Sequence, residues 1–326
     1  MCTAVVFGEK NNYFGRNLDL ERVYREQVVF TPRGFELCGR SGRALSRHFA
    51  MLGMATVIDG YPLYYDGFNE HGLCIAGLNF VQSTQYSSRR EEGAQNVAQF
   101  DLLPLVLGTC RSVAEAKELL SHINILDQPF RDDLPVARLH WLLSDGHGCA
   151  VLEFMCEGAR IYDDPVGVLT NEPPFETQLF NLGLYQALSP YAAEHLFSDK
   201  FRLAWHSRGM GAFGLPGDVS SASRFVRAAF VRANAAEPQD SRLAVEQFFH
   251  ILASVEQVEG CVRLDEGLER TQYSSCVDVS QKAYHYKTYN NSRITSVTMP
   301  ESLLDTDRLL CHSLVLESDT AVGELV

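Results

Sequence analysis

The chain opens Met1-Cys2-Thr3-Ala4-Val5-Val6-Phe7, and that opening constrains the rest. A small side chain at position 2 permits removal of the initiator Met. Removal leaves Cys2 with a free α-amine and a thiol on one residue. Such an amine titrates near ~7.7–8.0 and a thiol near ~8.5 in general. The amine can then take the thiol proton close to neutral pH, so one residue supplies nucleophile and base. A lone Cys on a frayed start would be an ordinary thiol. Here residues 3–7 are short, β-branched and apolar, which predicts a core strand. A strand that begins at the second residue pins the terminus inside the fold.

Residues 12–20 follow a predicted turn at Glu9-Lys10-Asn11 and read as the return strand of a hairpin. That register would bring Arg16 and Asp19 close to the terminal amine, where a solvated surface pair is the ordinary alternative. Further strands are predicted at 27–31 and 51–55, with strand, turn and strand over 61–80. The last of these ends at Asn79, an amide suited to capping a turn or to facing an oxyanion. Helices are expected over 100–110 and, opened by the capping box Ser112-Val113-Ala114-Glu115, through Leu120. Residues 139–143 and 149–154 read as a hairpin. Neither His140 nor His147 has a Cys or carboxylate at metal-ligand spacing, so both read as structural. Residues 168–171 form a second apolar strand that ends in an amide, Asn171. Residues 214–225 turn into a Ser-capped helix. Arg224 falls in its first turn, against the helix dipole, and needs a carboxylate or a special task there. A helix over 243–258 and strands at 272–277, 282–289 and 293–297 complete the order. Strands, helices, strands, helices, strands predict an α+β fold of two antiparallel sheets stacked between helix layers.

Of the 326 residues, 46% are hydrophobic and 21% charged, which is ordinary globular composition. No linker, charge run or repeat divides the chain, so a single domain over 2–326 is expected once Met1 is removed. With 28 basic against 41 acidic residues the net charge is -13, which argues against a nucleic-acid or anionic-membrane partner. No apolar run approaches the ~18 residues of a membrane span, and the start lacks the pattern of a secretory peptide. The nine cysteines are scattered without a C-x-x-C pair or zinc spacing. They fit a reducing cytoplasm and no metal.

Taken together, Met1-Cys2-Thr3, Phe14-Gly15-Arg16-Asn17-Leu18-Asp19, Ala76-Gly77-Leu78-Asn79-Phe80, Leu169-Thr170-Asn171, Leu215-Pro216-Gly217-Asp218-Val219-Ser220-Ser221 and Ser223-Arg224-Phe225 resemble the choloylglycine hydrolase family. That family contains bile salt hydrolases and penicillin V acylases. The resemblance runs from residue 1 to about residue 300. It implies a four-layer αββα N-terminal-nucleophile hydrolase, no cofactor, and hydrolysis of an unactivated amide through an acyl-enzyme. The implied substrates are conjugated bile salts, cleaved to free bile acid and glycine or taurine. By the same resemblance Cys2 is the nucleophile, Asp19 holds its amine, and Arg16 favours the thiolate. Asn79 and Asn171 donate to the oxyanion, and Arg224 braces the cluster.

Asn79 points toward bile salts, because penicillin V acylases of the family often carry Tyr there. Leu18, Ile58, Tyr65, Phe130 and Leu134 are expected to face the steroid. The alternatives are a penicillin V acylase or another N-acyl amidase, and a non-catalytic binder of amphipathic acids. Arg138 and Glu172-Pro173 depart from the family pattern. The stretch 181–211 is long and carries Tyr185, Tyr191, Phe197, Phe201 and Trp205, as an interface loop would. Family members are commonly homotetramers, which implies the same assembly here.

Overall fold

The computed structural model describes residues 1–9, 12–39, 44–192, 194–204, 207–318 and 320. Lys10 and Asn11 of the expected turn and Trp205 of the expected interface loop lie outside them.

In chain order, β1 (Cys2–Phe7) and β2 (Tyr13–Leu20) come first, followed by β3 (Gln27–Thr31), the short pair β4 (Leu37–Cys38) and β5 (Ala44–Leu45), β6 (Met51–Ile58), β7 (Tyr61–Asn69) and β8 (Cys74–Asn79). Next come β9 (Gln95–Ala98), α1 (Gln99–Thr109), α2 (Val113–Leu120) and β10 (Ile123–Leu126). The middle of the chain holds β11 (Leu139–Ser144), β12 (Cys149–Met155), β13 (Gly158–Asp163), β14 (Val168–Leu169), α3 (Phe175–Leu182), α4 (Ser221–Asn234) and α5 (Ser241–Ala253). The last part contributes β15 (Val262–Leu264), β16 (Gly267–Asp278), β17 (Ala283–Thr288), β18 (Asn291–Thr298) and β19 (Leu310–Ser313).

Two antiparallel sheets dominate. The seven-stranded sheet runs β14-β1-β2-β16-β17-β18, with β15 paired to β16. The eight-stranded sheet runs β13-β12-β11-β8-β7-β6-β3-β19. Side chains alternate across the second sheet, as the period-2 geometry of strands demands. Cys74, Ala76 and Leu78 join the hydrophobic cluster that contains β1, whereas Ile75 on the same strand joins a second cluster. α4 and α5 pack on β1, β2, β14 and β16, and α1 packs on β7 and β8. The layers are therefore helix, sheet, sheet, helix, as the resemblance implied.

The local signals behave as expected at several boundaries. Ser112 caps α2 by accepting from the Glu115 amide, and Ser220 caps α4 by accepting from the Ser223 amide. α5 starts at an Asp240 cap and stops at Ala253, short of the expected Val258. Among the elements that escaped sequence reading are three strands that depend on distant pairing. β9 and β10 form a parallel ladder, and β19 returns to close the edge of the eight-stranded sheet beside β3.

Candidate active site

β1 is wholly buried, and its register with β2 sets Cys2 opposite Leu18 and Ala4 opposite Arg16. The ladder extends one residue beyond the strand. The Asp19 amide donates to the Met1 carbonyl, and the Met1 ammonium donates to the Asp19 carbonyl at 2.8 Å. The same ammonium meets Glu269 Oε1 at 2.6 Å, and Glu269 is buried on β16. The Asp19 carboxylate itself accepts from the Thr271 hydroxyl at 2.6 Å, and its Oδ2 has no hydrogen bond among the described residues. Burial pushes the Asp19 carboxyl up, against the pull of Arg224, the Met1 ammonium and Thr271.

Asn171 follows β14, which pairs with β1 on the side away from β2. Its Oδ1 accepts from the Cys2 amide at 2.9 Å and from Arg224 Nη2 at 2.7 Å. Its Nδ2 donates one hydrogen to the Asn79 carbonyl at 2.7 Å. An amide nitrogen carries two hydrogens, so one donor remains for a reacting oxygen. The Asn171 amide is fixed by Ser221 Oγ at 2.8 Å, where α4 begins. Arg224 Nη1 donates to the Cys2 carbonyl at 2.5 Å and to Thr3 Oγ1 at 2.6 Å. This first-turn cation thus contacts Cys2, Thr3 and Asn171. Burial pushes its guanidinium down, while Asp19, Cys2 and Glu269 pull the other way.

Arg16 is fully buried, and its Nη1 donates to the Gly77 carbonyl of β8 at 2.5 Å and to the Tyr65 carbonyl at 3.3 Å. Burial is the largest single influence and disfavours its charge. Cys2, Tyr273, Asp66 and Asp19 outweigh it and push the guanidinium up. Asp66 anchors this side. It accepts from the hydroxyls of Tyr273 and Tyr284, each at 2.6 Å, and burial pushes its carboxyl up. Cys2, Arg16, Asp19, Asn79, Asn171 and Arg224 therefore meet around the start of β1, from five separated segments.

The five apolar candidates divide between two hydrophobic clusters. Leu18 is buried beside Cys2, and Tyr65 packs against the same cluster with its hydroxyl 3.0 Å from Thr56 Oγ1. Ile58, Phe130 and Leu134 belong to the second cluster. Phe130 is only 5% exposed, with its ring 5.6 Å from Tyr61 and 5.1 Å from Phe100. It is a core residue of that layer first. Two surface pockets open elsewhere: one against Tyr61 and Asp101, the other between Glu26 and Gln272. Neither has Cys2 in its wall.

Glu269, Thr271, Ser221 and the Asp66 group were not anticipated. The strand at 272–277 was visible, but which of its neighbours meets Asp19 depends on the β2–β16 register. That register shifts between Thr271 and Tyr273. The departures from the family pattern have local partners. Arg138 lies over the Tyr86 ring at 5.7 Å and pairs with Asp127, while Glu172 accepts from the Gln82 amide.

Residues 2–312 match the model of the linear amide C–N hydrolases, choloylglycine hydrolase family. A bile salt hydrolase/transferase of Lactiplantibacillus plantarum is 46% identical over 319 residues, which is 98% of this chain and 98% of that protein. The crystal structure of the C2A mutant of conjugated bile acid hydrolase from Clostridium perfringens superposes with a TM-score of 0.92 at 34% identity, covering 99% of this chain and 100% of that one. A penicillin V acylase from Agrobacterium tumefaciens shares the fold, with a TM-score of 0.73 at 21% identity over 95% of this chain and 90% of its own.

Proposed function

The chain belongs to the choloylglycine hydrolase family of linear amide C–N hydrolases, and from that membership and the geometry around β1 we propose that it cleaves glycine- or taurine-conjugated bile salts. The observation that carries the mechanism is the clamp on the start of β1. Asn171 Oδ1 accepts from the Cys2 amide while Arg224 holds both Asn171 and the Cys2 carbonyl.

On this reading the mature chain begins at Cys2, and the nitrogen now bonded to Asn171 becomes the free amine. Its lone pair takes the thiol proton, and the thiolate attacks the amide carbonyl. Arg16, buried and left with one nitrogen unpaired among the described residues, stabilises the negative sulfur. The remaining Asn171 N–H and the Asn79 side chain donate to the oxyanion, an effect worth ~3–4 kcal/mol per donor in comparable sites. Asp19, oriented by Thr271, holds the amine. The amine then protonates the leaving glycine or taurine nitrogen, and water resolves the acyl-enzyme. No cofactor enters these steps. An amine in place of water would instead receive the acyl group. The Lactiplantibacillus plantarum protein is named hydrolase/transferase, and that supports this second outcome of the same intermediate.

Initial rates on glycocholate, taurocholate and penicillin V test the substrate. Release of free bile acid well above penicillin V cleavage is expected, and a preference for penicillin V overturns the reading. Leu18 and Tyr65, packed with the Cys2 cluster, are the favoured contacts for the steroid, and Ile58, Phe130 and Leu134 would reach it only from the neighbouring layer.

A cytoplasmic location is part of the same reading, supported by nine free cysteines. No described helix is long and apolar enough to cross a membrane. A homotetramer is also part of it, supported by the apolar side chains exposed after α3.

A further inference from the structure

His140, a residue with no chemical partner in the linear sequence, touches the neighbours of both asparagines in the site. It lies on β11, one step before the Trp141–Leu152 pair, so its cross-strand neighbour is Glu153 of β12. Both side chains are completely buried. His140 Nε2 lies 2.8 Å from the Thr170 carbonyl, immediately before Asn171. The imidazole stacks on the Phe80 ring, immediately after Asn79, with centroids 4.2 Å apart and planes 5° from parallel. Nδ1 lies 3.1 Å from Glu153 Oε1, which also accepts from the Phe175 amide at the start of α3.

A carbonyl only accepts, so Nε2 carries a proton. The 3.1 Å contact between Glu153 Oε1 and Nδ1 is a hydrogen bond that needs a proton on one of the two atoms. Glu153 thereby fixes the tilt of the ring, as a carboxylate behind a functional histidine does elsewhere. Such a pair is a poor source of stability, because apolar residues of the same volume often pack as well or better.

We propose that His140, oriented by Glu153, is the positioning residue that holds Asn79 and Asn171 in mutual register for the oxyanion. The two asparagines come from different sheets. Asn79 ends β8 of the eight-stranded sheet, and Asn171 follows β14 of the seven-stranded sheet. The imidazole bridges those sheets, donating to one segment and stacking on the other. Asn171 Nδ2 then reaches the Asn79 carbonyl at 2.7 Å. Gln178 Nε2 supports the same segment through the Thr170 hydroxyl at 3.2 Å. The proposal rests on the amide-hydrolase reading above.

The test compares His140→Leu, His140→Gln, Glu153→Leu and wild type on the best of glycocholate, taurocholate and penicillin V. His140→Leu and Glu153→Leu should lower kcat about 10- to 100-fold with KM changed by less than about 3-fold. That loss is smaller than the ~10²–10³-fold for deleting an oxyanion donor outright. His140→Gln keeps a donor toward Thr170 and should recover part of the loss. Alkylation of Cys2 by iodoacetamide forms no oxyanion, so its rate should stay at the wild-type value. Wild-type kcat in His140→Leu overturns the proposal. So does a kcat loss matched by an equal loss of alkylation rate and a collapsed thermal transition, which would mark a purely structural role. Wild-type cleavage of penicillin V without cleavage of bile salts overturns the substrate reading alone, and the variants are then decided on penicillin V.

Discussion

Cys2 carries the chemistry in this reading, and its neighbours restrict what can replace it. Cys2→Ala removes only the sulfur from a position whose backbone is held by Asn171 and Arg224. It should fold with a normal thermal transition and release no bile acid, and substantial turnover would sink the nucleophile assignment. Cys2→Ser should be nearly as inactive, since a hydroxyl is too weak an acid for a weak amine base. While Met1 is in place, residues that the sequence did not single out meet the start of the chain. Glu269 is the carboxylate that meets the Met1 ammonium, while the Asp19 carboxylate is turned to Thr271.

At the level of elements, the segment feeding β14 decides where Asn171 falls. Asp164 gathers it by accepting from the amides of Val166, Gly167 and Val168, and Gly167 adopts the left-handed region at φ +65°. Burial outweighs those bonds and raises the Asp164 carboxyl from the ordinary 3.8 to about 6. An acid raised in the native state holds its proton more tightly folded than unfolded. Its contribution to stability is therefore greatest below about pH 4 and is lost as pH rises toward about 6, an effect of roughly 3 kcal/mol at most. The difference in unfolding free energy between wild type and Asp164→Asn should fall over that window and level off above it. Urea melts at pH 4, 5, 6 and 7 would measure this, and parallel curves would refute it.

The β2–β16 pairing offers a second element-scale test. A Cβ on Gly15 would lie 1.9 Å from the Ser275 carbonyl oxygen, a contact with backbone that no rotamer relieves. Gly15→Ala should lose more than about 4 kcal/mol of stability, beyond the range of ordinary substitutions. A melting temperature within a few degrees of wild type would contradict it.

For the molecule as a whole, the surface from the end of α3 onward is the feature that a monomer leaves unexplained. Phe180, Leu184, Tyr191, Leu196, Phe197 and Phe213 are each at least 71% exposed. Exposed apolar side chains gathered in one stretch of chain are what an interface would use. Light scattering should report a tetramer, and Leu196→Asp with Phe197→Asp should shift it toward smaller species. A wild-type monomer at working concentration would refute the assembly.

How much was legible differs between levels for a physical reason. The β1 strand, the strand ending in Asn79, the short strand just before Asn171, and the Ser caps of α2 and α4 were readable because each depends on a few adjacent residues. The α+β layering followed from their order, and the resemblance supplied the site residues that those motifs contain. The register was not readable, because a strand's partners are chosen by packing across the whole sheet. Only the tertiary structure set Thr271 beside Asp19, 252 residues apart, and Glu269 beside Met1, 268 apart. It also put Phe130 in a different hydrophobic layer from Leu18, and gave His140 a carboxylate partner from the neighbouring strand. The sequence determined which residues could do the chemistry and which segments would carry them. Long-range pairing decided which of them meet, because a one-residue shift of register would turn a strand side chain such as Thr271 or His140 to the opposite face.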